Sequence, residues 1–247
     1  MENIIYPAII FEKEISNNSM PATPIKIQRS NIDFLEKLKK NNNREWFNER
    51  KAEFLTEQAN IEDFASALLT ELNLHDVIET PSGKKSLYRI YRDTRFSNDK
   101  TPYKTHWSGS FKRAGKSRRG GYYFHIEKGN TFVGGGFWGP SPADLKLIRD
   151  DIAFDAQPLR DILNSKDFIA SFDQLKGEQL KTTPKGFDAE HPDIDLLRFK
   201  QFLLVKKFDN EALLSDNFVQ QMGQAFRNMR PFFDYMSSVL SGDANGE

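Results

Sequence analysis

Apolar positions in the first third of the chain recur at helical spacing. Phe34, Leu35 and Leu38 form one stripe between Asn31 and Lys40, and Ser30-x-x-Asp33 predicts a capping box at its start. Asn41-Asn-Asn43 interrupts the stripe. It resumes from about Arg44 to Leu72, where Phe47, Phe54, Ile61, Phe64, Leu68 and Leu72 predict a longer helix. After Pro81-Ser-Gly83 the pattern changes. Leu87-Tyr-Arg-Ile-Tyr91 is short, aromatic and β-branched, which predicts a strand. Extended backbone would put Arg89, Tyr91 and Asp93 on one face, with Arg95 if the strand runs on, and Tyr88, Ile90 and Arg92 on the other. A helix would also align Arg89 with Arg92, so their spacing leaves both readings open.

Phe96–Lys104 reads as a loop, because Ser-Asn-Asp is turn chemistry and Pro102 forces Thr101 to be extended. Thr105–Lys112 predicts a second strand that leads into a glycine-containing cationic loop, Arg113–Gly121. Tyr122–Glu127 and Thr131–Trp138 predict a hairpin joined through Lys128-Gly-Asn130. Gly134-Gly-Gly136 inside its second strand implies a bulge or a close approach to the backbone. Ser141 followed by Pro142 starts another helix, with Leu145, Ile148 and Ile152 on its buried face. Short helices follow around 156–164, 166–173 and 193–200, then a strand at Phe202–Val205. Ser215 is expected to cap a closing helix with Phe218, Met222, Phe226 and Met229 inward, broken or kinked at Pro231.

Helices, then strands, then helices make this an α+β chain, with a mostly antiparallel central sheet flanked by N-terminal and C-terminal helices. The expected organisation is an N-terminal extension and linker over 1–29, one domain over 30–240 and a disordered tail over 241–247. The run Ile4–Phe11 is far too short to span a bilayer and lacks the lead-in and cleavage site of a secretion signal. A cytoplasmic protein without membrane contact is the expectation. The absence of cysteine excludes disulfides, thiolate metal sites and thiol nucleophiles.

Charge sharpens the picture more than composition does. The chain has 35 basic and 35 acidic residues, yet Lys84–Arg119 holds twelve Lys/Arg against Asp93 and Asp99, a net of +10. The remainder therefore sums to −10. Cations gathered in one segment of a neutral protein point to an anion. Arg89, Arg92 and Arg95 offer planar forks for phosphate or carboxylate, and Lys100 and Lys104 supply mobile charges. Tyr103 and the glycine strand around Gly135 would shape the pocket. The plain alternative is that the arginines pair internally with Asp93, Asp99 and helix acids. Lys112–Arg119 reads as a mobile basic loop, able to contact nucleic acid phosphates or simply solvated.

Asp93, Asp99 and His106 are the candidate proton-transfer groups, since a histidine among arginines is favoured in its neutral form. His125 and Glu127 alternate onto one strand face, but two ligands do not make a metal site, so no metal site is predicted. His75 and His191 fall at expected element ends and read as surface residues. Tyr103, Trp107, Tyr122 and Trp138 are weighted as core rather than as base-stacking groups. Neither glycine stretch fits a Walker loop or a dinucleotide fingerprint, and no serine sits in a nucleophile elbow.

Asn42-Asn-Arg-Glu-Trp-Phe47, Tyr88–His106, Gly121–Glu127, Gly134-Gly-Gly-Phe-Trp138 and Pro184-Lys-Gly-Phe-Asp188 occur in this order. Together they resemble a widespread family of uncharacterised microbial proteins classed as a domain of unknown function. The resemblance runs from about Ile32 to Leu240. It implies one domain of about this size, and no activity, cofactor or catalytic residue. The residues themselves lead first to a cationic pocket for a phosphorylated small molecule or nucleotide, in a binder or an enzyme. A non-enzymatic nucleic-acid-binding module is the second reading, although overall neutrality weighs against it. A scaffold that turns its basic segment towards an acidic partner is the third. Cofactor and oligomeric state are left open.

Overall fold

A computed structural model describes residues 25–241. The expected extension over 1–29 and tail over 241–247 lie almost wholly outside the described residues. The chain starts with three helices, α1 (Arg29–Lys40), α2 (Arg44–Glu49) and α3 (Lys51–Asn73), then a single turn, α4 (Gly83–Ser86). Three strands follow, β1 (Trp107–Lys112), β2 (Gly121–Ile126) and β3 (Thr131–Phe137). Helices α5 (Pro142–Phe154), α6 (Gln157–Leu163), α7 (Lys166–Phe172) and α8 (Ile194–Leu197) lead to β4 (Phe202–Phe208), and α9 (Asn210–Leu213) and α10 (Phe218–Ser241) close the fold. No helix among the described residues is long and apolar enough to cross a membrane.

The strands form one antiparallel sheet in the order β1-β2-β3-β4, so the molecule is α+β with helices at both ends. The sheet is packed on one face only, as antiparallel sheets tolerate. Phe111, Tyr122, Gly135 and Leu204 make one inward row across the strands, and Gly109, Phe124 and Val133 the next. From α3, the Phe64 ring meets Phe124 edge-on at 6.4 Å. From α10, Phe226 and Phe233 meet Tyr122 at 5.0 and 5.1 Å. The outward rows are Ser110, Tyr123, Gly134 and Val205, then Ser108, His125, Phe132 and Lys207.

Several local expectations need correction. Gln28, not Ser30, caps α1, with Asn31 answering its backbone in a reciprocal capping box; the Ser30 hydroxyl instead donates to Glu57 at 3.0 Å. The long second helix is two helices, divided at Arg50, whose φ of −109° and ψ of 19° leave the helical region. Ser215 lies ahead of α10, and Pro231 does not break that helix, which continues to Ser241. Leu87–Tyr91 is not a strand. It makes isolated bridges alone, Leu87 to Gly109 and Tyr91 to Tyr103, because its neighbours close a narrow arm instead of a ladder. In that arm the amide of Arg92 donates to the carbonyl of Pro102 at 2.9 Å and that of Lys104 to Ile90 at 2.7 Å. Asn42 grips its base, bonding the Tyr103 backbone through both its amide nitrogen and its carbonyl. The buried Tyr103 ring stacks on Phe47 at 4.0 Å.

Lys112–Arg119 is not simply a mobile basic loop. Arg113 is 1% exposed. Its guanidinium bonds Asp76 and Asp234, each at 2.6 Å, and the Arg119 carbonyl at 2.9 Å. Tyr122 donates to the same Asp76 carboxylate at 2.7 Å. Burial alone would raise the Asp76 carboxyl, but the bonds from Tyr122, the Val77 amide and Arg113 outweigh it and hold the group low. Arg119 in turn pairs with Asp144 at 2.6 Å. A guanidinium buried at this depth requires such neutralisation.

Candidate functional site

The arm from Tyr88 to Lys104 scatters its charged groups. Arg92 bonds Asp99 at 2.6 Å and Thr101 more closely, and it lines a small cavity with Arg44 and Tyr91. Arg95 forks onto Asp93 at 3.0 and 2.7 Å at the exposed tip. The Arg95 and Thr101 bonds hold the Asp93 and Asp99 carboxyls below the usual range, which suits them as counter-ions rather than bases. The Lys100 ammonium caps the Thr94 carbonyl at 2.9 Å. Lys104 donates to the Arg89 carbonyl at 2.9 Å and lies 5.4 Å from the Tyr88 ring centroid; burial and Arg89 lower its pKa. Arg89 is exposed and has no side-chain hydrogen bond or ion pair among the described residues. The candidate groups therefore do not converge on one cleft.

Arg89 lines a cavity of roughly 270 Å³ together with Lys84, Lys85, His106 and Ser108. Tyr88, which is 51% exposed, forms part of its wall. The same ring also walls a second and larger cavity, of roughly 760 Å³, over the outward face of the sheet. Ser110, Tyr123, Phe132, Trp138 and Val205 line this larger space, with Lys112 at its border. Its floor is the glycine run. Gly135 also serves the opposite face, because a Cβ there would lie 2.6 Å from Met229 Sδ and 2.7 Å from the Phe233 ring. The close approach implied by the glycines is thus partly internal, made by α10. A Cβ at Gly134, by contrast, would meet nothing nearer than 3.6 Å.

Beside these cavities the β1–β2 register brings together groups that lie far apart in sequence. Ser108 stands opposite His125, so His106, just before β1, reaches the His125 ring, with centroids 4.1 Å apart. Phe132 stacks on the other side of His125 at 4.9 Å. Burial, reinforced by His125, pushes the His106 pKa down to about 4. Its imidazole has no hydrogen-bond partner among the described residues and lines the smaller cavity. His125 lies 3.2 Å from Glu127 through Nε2 and 3.1 Å from the Tyr123 hydroxyl through Nδ1. Burial also lowers its pKa, against the pull of Glu127.

Reasoning from sequence singled out His106, set the His125–Glu127 pair aside and did not consider Tyr123. Their alternation along β2 was the available signal, and it cannot be told from an ordinary wet strand face. No group of three or more His, Asp or Glu suited to a metal ion occurs among the described residues. Trp107, Tyr103 and Tyr122 are core, whereas Trp138 is 73% exposed.

No curated protein and no solved structure matches the chain. A family model described as conserved hypothetical protein (DUF2461) matches residues 30–235, which takes in both cavities, the arm and the whole sheet. The chain belongs to this family.

Proposed function

We propose that this chain is a cytoplasmic protein that binds a phosphorylated small molecule with a planar apolar part, of which a nucleotide is the simplest example. The observation that carries this reading is the shared Tyr88 wall. On one side lies an aromatic cavity floored by glycine, and on the other a smaller one edged by Lys85, Arg89 and His106. A ring would lie over the sheet among Tyr88, Tyr123 and Trp138, where aromatic stacking contributes about 1–3 kcal/mol per base. Its phosphate would extend towards Arg89 and Lys85, which have no carboxylate partner among the described residues. The arm arginines Arg92 and Arg95 support the site by keeping the arm folded rather than by touching the ligand. His106, held neutral, donates its ring N–H to a phosphate oxygen of the ligand.

Quenching of Trp138 on titration with adenosine monophosphate, adenosine and inorganic phosphate tests this. The nucleotide is expected to bind at least about tenfold more tightly than either fragment. Arg89→Ala should remove most of that difference, and added salt should weaken it. Equal affinity for nucleotide and nucleoside, or no binding of any of the three, overturns the reading. A second reading is favoured by the breadth of the aromatic face: a single strand of nucleic acid could stack along Tyr88, Tyr123, Phe132 and Trp138. An oligonucleotide that outcompetes the mononucleotide by orders of magnitude would establish that reading instead.

A further inference from the structure

We propose that Tyr123, His125 and Glu127 form a proton relay that makes the Tyr123 hydroxyl a general base at the outward sheet face. The three side chains share that face because they alternate along β2 and its continuation. Hydrogen-bond chemistry fixes the direction of the relay. An ionised carboxylate only accepts, so the His125 Nε2 that faces Glu127 must carry the ring proton. Nδ1 is then a lone pair, and the Tyr123 hydroxyl 3.1 Å away must donate to it. A carboxylate that orients an imidazole whose other nitrogen draws a proton from a hydroxyl is the general logic of an activated hydroxyl.

The relay is held tightly. The His125 ring is 7% exposed and lies between His106 and Phe132. Glu127 is steadied by the Asn130 amide at 3.1 Å and by Lys39 of α1 at 3.9 Å. Burial alone would raise the Glu127 carboxyl, but the Asn130 and His125 bonds keep it ionised. The Tyr123 ring lines the larger cavity. Its hydroxyl is near Ser108, which lines the smaller one, so the reactive oxygen belongs to a residue of the larger cavity and neighbours one of the smaller. Burial raises the Tyr123 pKa, so it rests protonated. In the working step a ligand X–H gives its proton to the Tyr123 oxygen as the phenolic proton passes to Nδ1. The resulting imidazolium is held by Glu127. The other charged or titratable groups near this centre are His106 and Lys104 ahead of β1, Tyr88 on the arm, Lys207 on β4 and Lys39 on α1. The reaction class is proton abstraction from the bound ligand, or attack by the tyrosine oxygen on an electrophile. The inference rests on the sheet face being the ligand site, and not on the ligand being a nucleotide.

Phenylmethylsulfonyl fluoride, applied to the full chain and followed by intact mass and peptide mapping, reads the relay directly. The tyrosine oxygen attacks sulfur, the S–F bond breaks, fluoride leaves and the phenolic proton goes to His125. Tyr123 is expected to react at least about tenfold faster than Tyr88 and Tyr91, which are more exposed. Tyr123→Phe removes the fast adduct. The conservative Glu127→Gln should slow it about tenfold without changing the melting temperature, and should move the acid limb of its pH profile to lower pH, because His125 loses the carboxylate that favours its protonation. Labelling of Tyr123 no faster than of Tyr88, or a Glu127→Gln profile identical to wild type, overturns the relay. Fast labelling without nucleotide binding overturns the nucleotide reading alone, and nucleotide binding without fast labelling overturns the relay alone.

Discussion

At the scale of single residues, burial divides the basic groups into two kinds. Arg113 is locked among Asp76, Asp234 and the Arg119 carbonyl, so removing it takes from the buried Asp76 carboxylate its close ion pair and leaves it Tyr122 and the more distant Arg230, at 3.5 Å. Arg113→Met is expected to cost about 3–5 kcal/mol in urea denaturation. The double variant with Asp76→Leu should recover at least half of that, and a single-variant loss under about 1 kcal/mol would contradict the assignment. His106 behaves oppositely, because it is kept neutral. Its folded pKa of about 4 lies below the ordinary histidine value of 6.5, so between these values the unfolded chain binds the extra proton. Stability therefore falls as pH drops from about 6.5 to about 4, and this group adds no further loss below that. His106→Phe should flatten the slope over this window by about 2 kcal/mol, allowing for partial exposure; an unchanged slope would show that the ring is freely solvated. His125 and His75, which burial also holds low, contribute to the residual slope.

At the scale of elements, the glycine run in β3 separates packing from ligand access. Gly135→Ala pushes a methyl into Met229 and Phe233 and is expected to cost about 1–3 kcal/mol in thermal or urea melts. Gly134→Ala faces the other way, with ordinary clearance. It should leave stability within about 1 kcal/mol while weakening binding at the cavity floor. The reverse pattern would place the ligand on the wrong face. The hairpin that carries these residues was legible in the sequence, because Tyr122–Glu127 and Thr131–Trp138 alternate around a Gly-Asn turn. Leu87–Tyr91 was misread for a physical reason. Aromatic and β-branched composition reports an extended, half-buried backbone, and the arm satisfies that without a ladder. The candidate site was harder still. A register of Ser108 against His125 cannot be read before the strands are paired, yet that register alone brings His106 to His125. The motif naming His106 and the one naming His125 were both visible, and their contact was not.

At the scale of the whole molecule, the charge anomaly of Lys84–Arg119 is mostly an internal affair. Lys84, Arg92, Arg95, Lys112, Arg113 and Arg119 all meet carboxylates, and Lys100 and Lys104 meet backbone carbonyls. What the summed charge cannot show is which cations have no partner; that depends on where the acids of α3, α5 and α10 come to rest. One arrangement described above also governs how the chain matures. The inner face of the sheet, around Tyr122 and Gly135, is covered by α10, which is synthesised after all four strands. Until residues 218–241 leave the ribosome, the four strands lack this cover and present an apolar surface to solvent, a situation that favours aggregation. A chain stopped after Asn217 is expected to appear in the insoluble fraction on expression, and co-expression of 218–241 as a separate peptide should return part of it to solution.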